Sequence, residues 1–241
     1  MCALNVKKMK GESKFAPQEA IEVGTYPARI AQIIDLGMQA QTAANRARYG
    51  EKKPTHNIQV TYELVDEFMK DEEGNDIEDK PRWQSEFFPL HPLTSDRAKS
   101  TQRYKAIDPN EDFEGDFTAL IGLPVMVTIT QYEKDGTTRN GVGDVSAMRS
   151  RDAKKCPELV NDSRVFLLDD PDLELFNALP EFLRNIITSN LEFGGSKLEA
   201  LINGEEPEEE EKPAPKKAKK QPEPEPEDSD EEDEDEDDKP W

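Results

Sequence analysis

Basic and aromatic residues alternate in four short segments of this acidic chain. The members are Arg46, Arg48, Tyr49, Lys52, Lys53, Arg82, Trp83, Phe88, Arg97, Lys99, Arg103, Tyr104, Tyr132, Lys134 and Arg139. Aromatic rings stack on unpaired nucleobases, and cations follow the phosphates of the same strand. Each stacked base contributes on the order of 1–3 kcal/mol, so three or four rings suffice for binding. The pattern therefore predicts a surface that holds single-stranded nucleic acid.

Several of these rings also have a structural interpretation. Trp83 and Phe87 fall on the same face of a predicted strand, and that face is equally compatible with the core. Tyr62 lies on an apolar strand face, which predicts burial. Tyr49 and Tyr104 lie in polar segments, which favours contact with a ligand.

The charge distribution limits how nucleic acid could be bound. The 241-residue chain has a net charge of −22. Residues 205–241 contain 19 acidic and 6 basic side chains, a net charge of −13, which leaves −9 for residues 1–204. Because the body is also acidic, any nucleic acid must bind to a local basic patch rather than to net charge.

The C-terminal segment Asp228–Trp241 is a dense run of carboxylates that ends in an aromatic residue. Such a run repels itself, so it is predicted to be disordered. A large ring that cannot be buried within its own chain is suited to a pocket on another protein. The predicted partner-binding anchor consists of Asp235, Glu236, Asp237, Asp238 and Trp241. The alternative is a solubilising tail whose last residue is accidental.

Alternating apolar residues predict five strands in residues 21–150. The first strand starts at Gly24, the second covers residues 58–64, the third covers 82–90, and a hairpin covers 124–148 with its turn at Asp135-Gly136. On the first strand, one side is predicted to carry Tyr26, Ala28, Ile30, Ile34 and Leu36. On the second, one side carries Ile58, Val60, Tyr62 and Leu64, and the other carries Gln59, Thr61 and Glu63.

A short helix is predicted between the third and fourth strands. Asp112 is placed at its N-cap, Phe113, Phe117 and Leu120 share one face, and Gly122 ends it. Three strands, a helix and two strands is the order of a five-stranded OB-fold barrel. The fold class is therefore mainly β, and a generic β-sandwich is the alternative.

The predicted organisation has four parts. These are a flexible arm at 1–20, the OB-fold domain at 21–150, a small helical extension at 151–203 and the disordered acidic tail at 204–241. In the extension, Val165–Leu168 could add an edge strand, and residues 171–191 are predicted helical, with Phe182, Ile186 and Leu191 on the buried face. Ser196 and Glu199 have the spacing of a capping box. The extension is too short for its own core, so it is expected to pack on the barrel or on a second protomer.

The sequence carries no signature of a catalytic or metal site. Two cysteines and two histidines are too few for a disulfide framework or a zinc cluster. No phosphate-binding glycine loop, nucleophile elbow or HExxH motif occurs. We expect no cofactor, no enzymatic activity, no signal peptide and no membrane span, and a reducing compartment. The 53 acidic residues leave a metal-dependent nuclease open as a minor alternative.

Three segments resemble the single-stranded DNA-binding proteins of bacteriophages, namely Val23–Gln39, Lys52–Leu64 and Phe117–Thr130. The tail is similar in kind to the acidic tails of that family, which usually end in Phe where this chain has Trp241. The resemblance implies an OB fold, sequence-independent binding of single-stranded DNA in phage replication or recombination, and recruitment of a polymerase, helicase-primase or nuclease through the tail. It places the protein in the cytoplasm of the infected host cell, and a homodimer is compatible with it. The main alternative is an acidic interaction protein, either a DNA mimic or a chaperone of basic proteins.

Overall fold

A computed structural model of the chain describes residues 18–205. The strands are β1 Gly24–Gln39, β2 Thr55–Lys70, β3 Asp76–Pro89, β4 Pro124–Lys134, β5 Thr137–Ala147 and β6 Arg164–Phe166. The helices are α1 Ala43–Tyr49, α2 Lys99–Ile107, α3 Ser150–Ala153, α4 Leu173–Ala178, α5 Glu181–Thr188 and α6 Lys197–Asn203, with a 3₁₀ turn at Thr118–Leu120. Most of the predicted arm and nearly all of the predicted tail, including the anchor at Asp235–Trp241, lie outside the described residues.

The strands form one sheet in the order β3-β2-β1-β4-β5, and all neighbours in this order are antiparallel. The short β6 adds to β1 in parallel, opposite residues 32–34. The prediction of a mainly β protein is confirmed, whereas helix α1 between β1 and β2 was not predicted. The sheet is not closed, because β3 and β5 share no backbone ladder in the described part of the chain.

Strand β1 contributes to two separate hydrophobic clusters. Its register against β2 shifts between Ile30 and Gln32 and again between Asp35 and Gly37. A bulge moves the following residues to the opposite face of a strand. Ile30 and Ile33 therefore lie in the cluster inside the sheet, here called the barrel cluster, with Ile58, Val60, Tyr62, Val125 and Val127. Ile34 lies in a cluster on the outer face, here called the extension cluster, with Leu36, Phe166, Phe176, Leu183 and Ile187. The predicted single face from Tyr26 to Leu36 is thus wrong beyond the first bulge.

Strand β2 follows the predicted alternation. Ile58, Val60, Tyr62 and Leu64 point into the barrel cluster, and each is at most 4% exposed. The strand extends to Lys70, beyond the predicted segment, and then turns through an acidic loop into β3. The inner face of β2 was therefore predicted correctly, although its length was not.

The β4–β5 hairpin is also confirmed. Val125, Val127 and Ile129 alternate along β4 and are fully buried. Asp135 and Gly136 have φ values of 53° and 72°, and two successive left-handed residues are what a two-residue type I′ turn requires.

The predicted helix at Asp112 is wrong, and the helix between β3 and β4 is α2 instead. The buried residues of α2 include Ser100, Thr101 and Arg103, so the helix shows almost no apolar periodicity in the sequence. Asp112 does not cap a helix. Its backbone N–H instead donates to the carboxylate of Asp108 at 2.9 Å, within a loop.

The C-terminal extension packs on the outer face of β1 through the extension cluster. Helices α4 and α5 lie within the predicted helical segments, but α5 buries Leu183 and Ile187 and leaves Phe182 and Leu191 more than half exposed. Of the three residues predicted for this face, only Ile186 packs against the extension cluster, and the fully buried pair is Leu183 and Ile187, one residue further along.

The last helix, α6, forms as predicted. The Ser196 hydroxyl accepts from the Glu199 backbone N–H at 3.2 Å. The Glu199 carboxylate accepts from the backbone N–H of Gly195 at 2.6 Å, one residue before the position of a standard capping box.

Candidate nucleic-acid interface

The connection between β1 and β2, residues 40–54, carries five of the predicted contact residues and is here called the basic connection. It contains four cations and one carboxylate, a net charge of +3. Its helix α1 buries no residue. A helix without a buried face is held by its ends rather than by packing. The Thr42 hydroxyl accepts from the Asn45 N–H at one end, and Gly50 donates to the Arg46 carbonyl at the other, with a left-handed φ of 74°.

The side-chain amide of Gln41 closes the basic connection at its base. Its nitrogen donates to the Gly50 carbonyl at 2.9 Å, and its oxygen accepts from the Lys52 N–H at 2.9 Å. One amide thus fixes both the end of α1 and the segment that leads to β2. This clamp and the caps hold a surface helix in place, so its side chains are presented to solvent.

The exposed ring of Tyr49 lies close to two cations. Its side chain is 55% exposed, and the Arg48 guanidinium and the Lys52 ammonium each lie 5.2 Å from the ring centroid. Arg46 and Lys53 are also exposed. None of these four cations forms an ion pair with another residue in the range 18–205. The structure therefore brings together a ring and four uncompensated cations on one loop.

On strand β3 the exposed phenylalanine is Phe87, whereas the prediction was Phe88. Phe88 is 2% exposed and packs in the barrel cluster, with its ring centroid 5.8 Å from that of Phe117. The prediction that Phe88 stacks on a base is wrong, because neither of its ring faces is accessible. Phe87 is 46% exposed and was missed, although strand alternation leaves only one of two adjacent rings inside. Trp83 is partly buried and donates its indole N–H to Glu63 at 2.9 Å.

Arg82 on the same strand is also only partly accessible. Burial lowers the pKa of its guanidinium from the ordinary value, and the nearby Glu67 carboxylate opposes that shift. The structure gives Arg82 an acidic neighbour, so its charge is less available to a phosphate than the charges of the basic connection.

The residues that follow β3 are mostly structural. The Arg103 guanidinium is buried and binds Glu86 on β3 with distances of 2.9 and 3.2 Å. It also donates to Asp144 and to the Gly143 carbonyl on β5 at 2.8 and 2.9 Å. Lys99 binds Glu86 at 2.7 Å. The prediction that Arg103 follows phosphates is therefore wrong, because the side chain bridges the open edges of the sheet.

Tyr104 is fully buried as well, so its predicted stacking role is wrong. Its hydroxyl donates to Asp108 at 3.0 Å and accepts from the Gly115 N–H at 2.8 Å. The sequence does not predict this burial, because the residues of α2 that are buried with Tyr104 include the polar Ser100, Thr101 and Arg103. Of the predicted residues in this segment, Arg97 remains exposed.

The β4–β5 hairpin carries a second exposed group, here called the hairpin group, which consists of Tyr132, Lys134 and Arg139. Tyr132 is 50% exposed, and it lies opposite Arg139 across the hairpin. Lys134 is exposed near the turn.

The hairpin group and the basic connection lie at opposite ends of β1. Gly24, at the start of β1, pairs with Ile129 near the hairpin group. Gln39, at its end, pairs with Thr55 next to the basic connection. The structure therefore forms two exposed groups rather than one continuous surface.

The outer face of β2 is covered by the protein itself. Gln59, Thr61 and Glu63 are 4%, 1% and 1% exposed. The Glu63 carboxylate accepts from the Val160 N–H at 2.7 Å and from the Asn161 amide at 2.8 Å, which fastens the segment 156–161 over the sheet. A nucleic-acid site centred on β2 is thus blocked, and the accessible residues lie around it.

Two further findings concern other functions. Among residues 18–205, no group of three or more His, Cys, Asp or Glu side chains is arranged to hold a metal ion. Within the same range, none of the helices is long and apolar enough to cross a membrane. No protein-family model matches the chain, and no curated protein is significantly similar to it in sequence.

Proposed function

We propose that this protein binds single-stranded nucleic acid, without sequence preference, through the basic connection. The observation that carries the proposal is the exposed Tyr49 ring beside Arg48 and Lys52, on a loop of net charge +3. Within residues 18–205, the four cations of this loop form no ion pair. A base can stack on a face of the ring once the side chain of Arg48 or Lys52 moves from the ring to an adjacent phosphate. Since stacking uses the flat face that all bases share, such contacts do not depend on sequence.

The proposed architecture is an OB-type barrel left open at one seam. The sheet order suits an OB fold, whose last closure would join β3 to β5. At that position the Arg103 side chain connects Glu86 on β3 to Asp144 on β5. In an OB fold, the first and last loops flank the binding face, and here these loops carry Tyr49 and Tyr132.

The hairpin group is proposed as a second contact that only longer strands reach. It lies at the far end of β1 from the basic connection, and a short oligonucleotide bound at Tyr49 would not extend to it. Phe87 is the further exposed ring on β3. We therefore expect affinity to increase with strand length in two steps.

The biological role that we propose is coating of single-stranded DNA during phage replication or recombination, in the cytoplasm of the infected cell. The anchor at Asp235–Asp238 and Trp241 would recruit a replication protein, because a terminal ring and adjacent carboxylates suit a pocket with a basic rim. This part of the proposal rests on the sequence, since these residues lie outside the described range.

The proposal is tested by fluorescence anisotropy with labelled oligo-dT and with duplex of the same length. We expect preference for the single strand and a log–log salt slope of about −0.7 per phosphate contact. Tyr49→Ala should weaken binding by about 5- to 150-fold, the equivalent of roughly 1–3 kcal/mol for one stacked base. The matched control is Arg151→Ala, which removes an exposed cation on α3.

Two outcomes would contradict the proposal. One is equal affinity for duplex and single strand. The other is a folded Tyr49→Ala protein whose affinity for oligo-dT equals that of the Arg151→Ala control. Degradation of the oligonucleotide after addition of magnesium would point instead to a nuclease.

An acidic interaction protein is the second candidate, and one observation favours it. Exposed carboxylates crowd the β2–β3 turn and the start of β3, at Glu72, Glu73, Asp76, Glu78 and Asp79. A mimic of nucleic acid would bind a basic protein through such a surface and would not bind oligo-dT. Titration with polylysine beside oligo-dT separates the two candidates, and removal of residues 205–241 shows whether the tail or the body is responsible.

A further inference from the structure

A cleft of about 460 Å³ opens beside the start of β2. The middle of β1 and the start of β2 form one wall, and residues 114–118 form the other. Its apolar lining includes Ile33, Ile58, Leu90, Leu93 and Phe117. A cleft with such a lining can bury apolar side chains of a peptide.

The polar lining of the cleft is acidic. Asp35, Glu114 and Asp116 contribute carboxylates, and no Lys or Arg side chain is among the lining residues. The Nε2–H group of His56 donates to the Asp35 carboxylate at 2.6 Å. The hydrogen bond to Asp35 raises the pKa of His56 above its ordinary value, burial opposes the shift, and the charges of Glu192 and Asp169 add to it. The cleft is therefore a region of negative potential with an apolar floor.

Glu114 is the carboxylate best placed for a ligand. In the range 18–205 its side chain forms no hydrogen bond or ion pair, whereas Asp116 accepts from the backbone and hydroxyl of Thr118 at 2.8 and 2.7 Å. The backbone of Glu114 has a φ of 53°, in the left-handed region that non-glycine residues adopt at a cost. The loop is held in this shape by Asp108, which accepts from two backbone N–H groups. A constrained loop thus presents an unpaired carboxylate at an apolar cleft.

The first 17 residues of the chain, here called the N-terminal segment, complement this cleft. They contain four lysines and one glutamate, a net charge of +3, in a protein whose total charge is −22. Lys7, Lys8 and Lys10 alternate with apolar Val6 and Met9. Charge complementarity between cationic and apolar side chains and an acidic, apolar-floored cleft favours this pairing over others.

The length of the N-terminal segment determines whether it binds the cleft of its own chain or the cleft of another copy. The described chain starts at Gln18, whose side chain pairs with the backbone of Lys70 at the end of β2. His56 and the cleft lie at the start of β2, up to about 46 Å away at about 3.3 Å per residue. Lys7, Lys8 and Lys10 precede Gln18 by 8 to 11 residues, which span at most about 40 Å when fully extended, less than this length of strand. We infer that the N-terminal segment of one copy docks in the cleft of a second copy.

This contact joins two different surfaces, so it is heterologous. A heterologous contact either closes into a ring or continues as an open chain of copies. Because each copy carries one segment and one cleft, two copies can exchange segments or several copies can associate in series, and either form is favoured wherever copies are brought close together. The inference is independent of the proposed function, since it concerns contacts between copies of the protein.

The test is a charge-swap series in the full-length chain, measured by sedimentation velocity over a range of concentrations. The segment variant is Lys7→Glu, Lys8→Glu and Lys10→Glu, and the cleft variant is Glu114→Lys. Each should weaken self-association by about tenfold, and their combination should recover at least half of that loss. Glu72→Lys, on the β2–β3 turn, is the matched control for an added positive charge and should associate like the unaltered protein.

Several results would overturn the inference. These are a protein that stays monomeric at all concentrations, a combined variant that associates no better than either single set, and a cleft variant that matches the Glu72→Lys control. Crosslinking of the segment only to its own chain would also overturn it. Melting temperatures establish that each variant is folded. A short oligo-dT measured in parallel separates the two ideas, because failure to bind it would contradict the proposed function and leave the association result unaffected.

Discussion

Replacing Arg103 by methionine should destabilise the fold without altering the nucleic-acid site. The Arg103 side chain is 7% exposed and that of Glu86 is 4% exposed, so the pair is buried. Removing one partner of a buried ion pair costs about 3–5 kcal/mol, because the other charge is left uncompensated. Lys99 at 2.7 Å and the Tyr62 hydroxyl at 2.8 Å still contact Glu86, which favours the low end of that range.

Urea unfolding followed by tryptophan fluorescence measures this loss directly. About 3 kcal/mol corresponds to a fall in Tm of roughly 6–12 °C for a chain of this size. Adding Glu86→Gln to Arg103→Met removes the stranded charge and should restore about 1–2 kcal/mol. Lys99→Ala is the control, because that ammonium is 40% exposed and should cost less than about 1 kcal/mol.

Either of two results would refute this reasoning. If Arg103→Met unfolds with less than about 1 kcal/mol of lost stability and binds oligo-dT weakly, Arg103 contacts the ligand and the seam is held by other means. If the double variant is less stable than Arg103→Met, the stranded carboxylate is not the source of the cost.

Three other predictions concern buried or partly buried groups. Tyr104→Phe should lower the free energy of unfolding by about 1–3 kcal/mol, because its hydroxyl serves two buried partners, and oligo-dT affinity should not change. Phe88→Ala should cost about 3–5 kcal/mol as a core truncation, whereas the exposed Phe87→Ala should cost less than about 1 kcal/mol and should weaken oligo-dT binding if that ring stacks. The hydrogen bond to Asp35 raises the pKa of His56 in the folded state, so its stabilising contribution is complete below the ordinary value of 6.5 and is lost as pH rises through the folded-state value. Urea unfolding should therefore show the protein slightly less stable at pH 8.5 than at pH 5.5, by under about 1 kcal/mol because the His56 side chain is 38% exposed, and His56→Gln should abolish that difference.

The parts of the fold that were predictable from the sequence depend on local rules. Strand β2 alternates because one face enters the barrel cluster, and Asp135-Gly136 forms a turn because both residues tolerate left-handed backbone. The Ser196 cap of α6 follows from a hydroxyl placed three residues before the N–H that it accepts from. Each of these signals is contained within a few adjacent residues.

The parts that were not predictable depend on contacts distant in sequence. The bulge in β1 reverses the faces of the strand, and no residue pattern within the strand predicts it. Helix α2 is concealed because its buried side is made of polar groups that bind Glu86 and Asp108. The candidate site shows the same division. The exposed cations of the basic connection were predictable from a polar segment, whereas the burial of Tyr104 was set by tertiary structure.

The sharing of β1 between two clusters has a consequence for how the protein unfolds. Ile33 anchors the barrel cluster and Ile34 anchors the extension cluster, so adjacent residues on one strand belong to both. Loss of either cluster removes a lateral support of the same backbone, and the free energies of the two are therefore linked. Residues 18–205 should melt in one cooperative calorimetric transition, and a chain ending at residue 150 would leave Ile34 and Leu36 facing water and should aggregate rather than persist as a smaller domain.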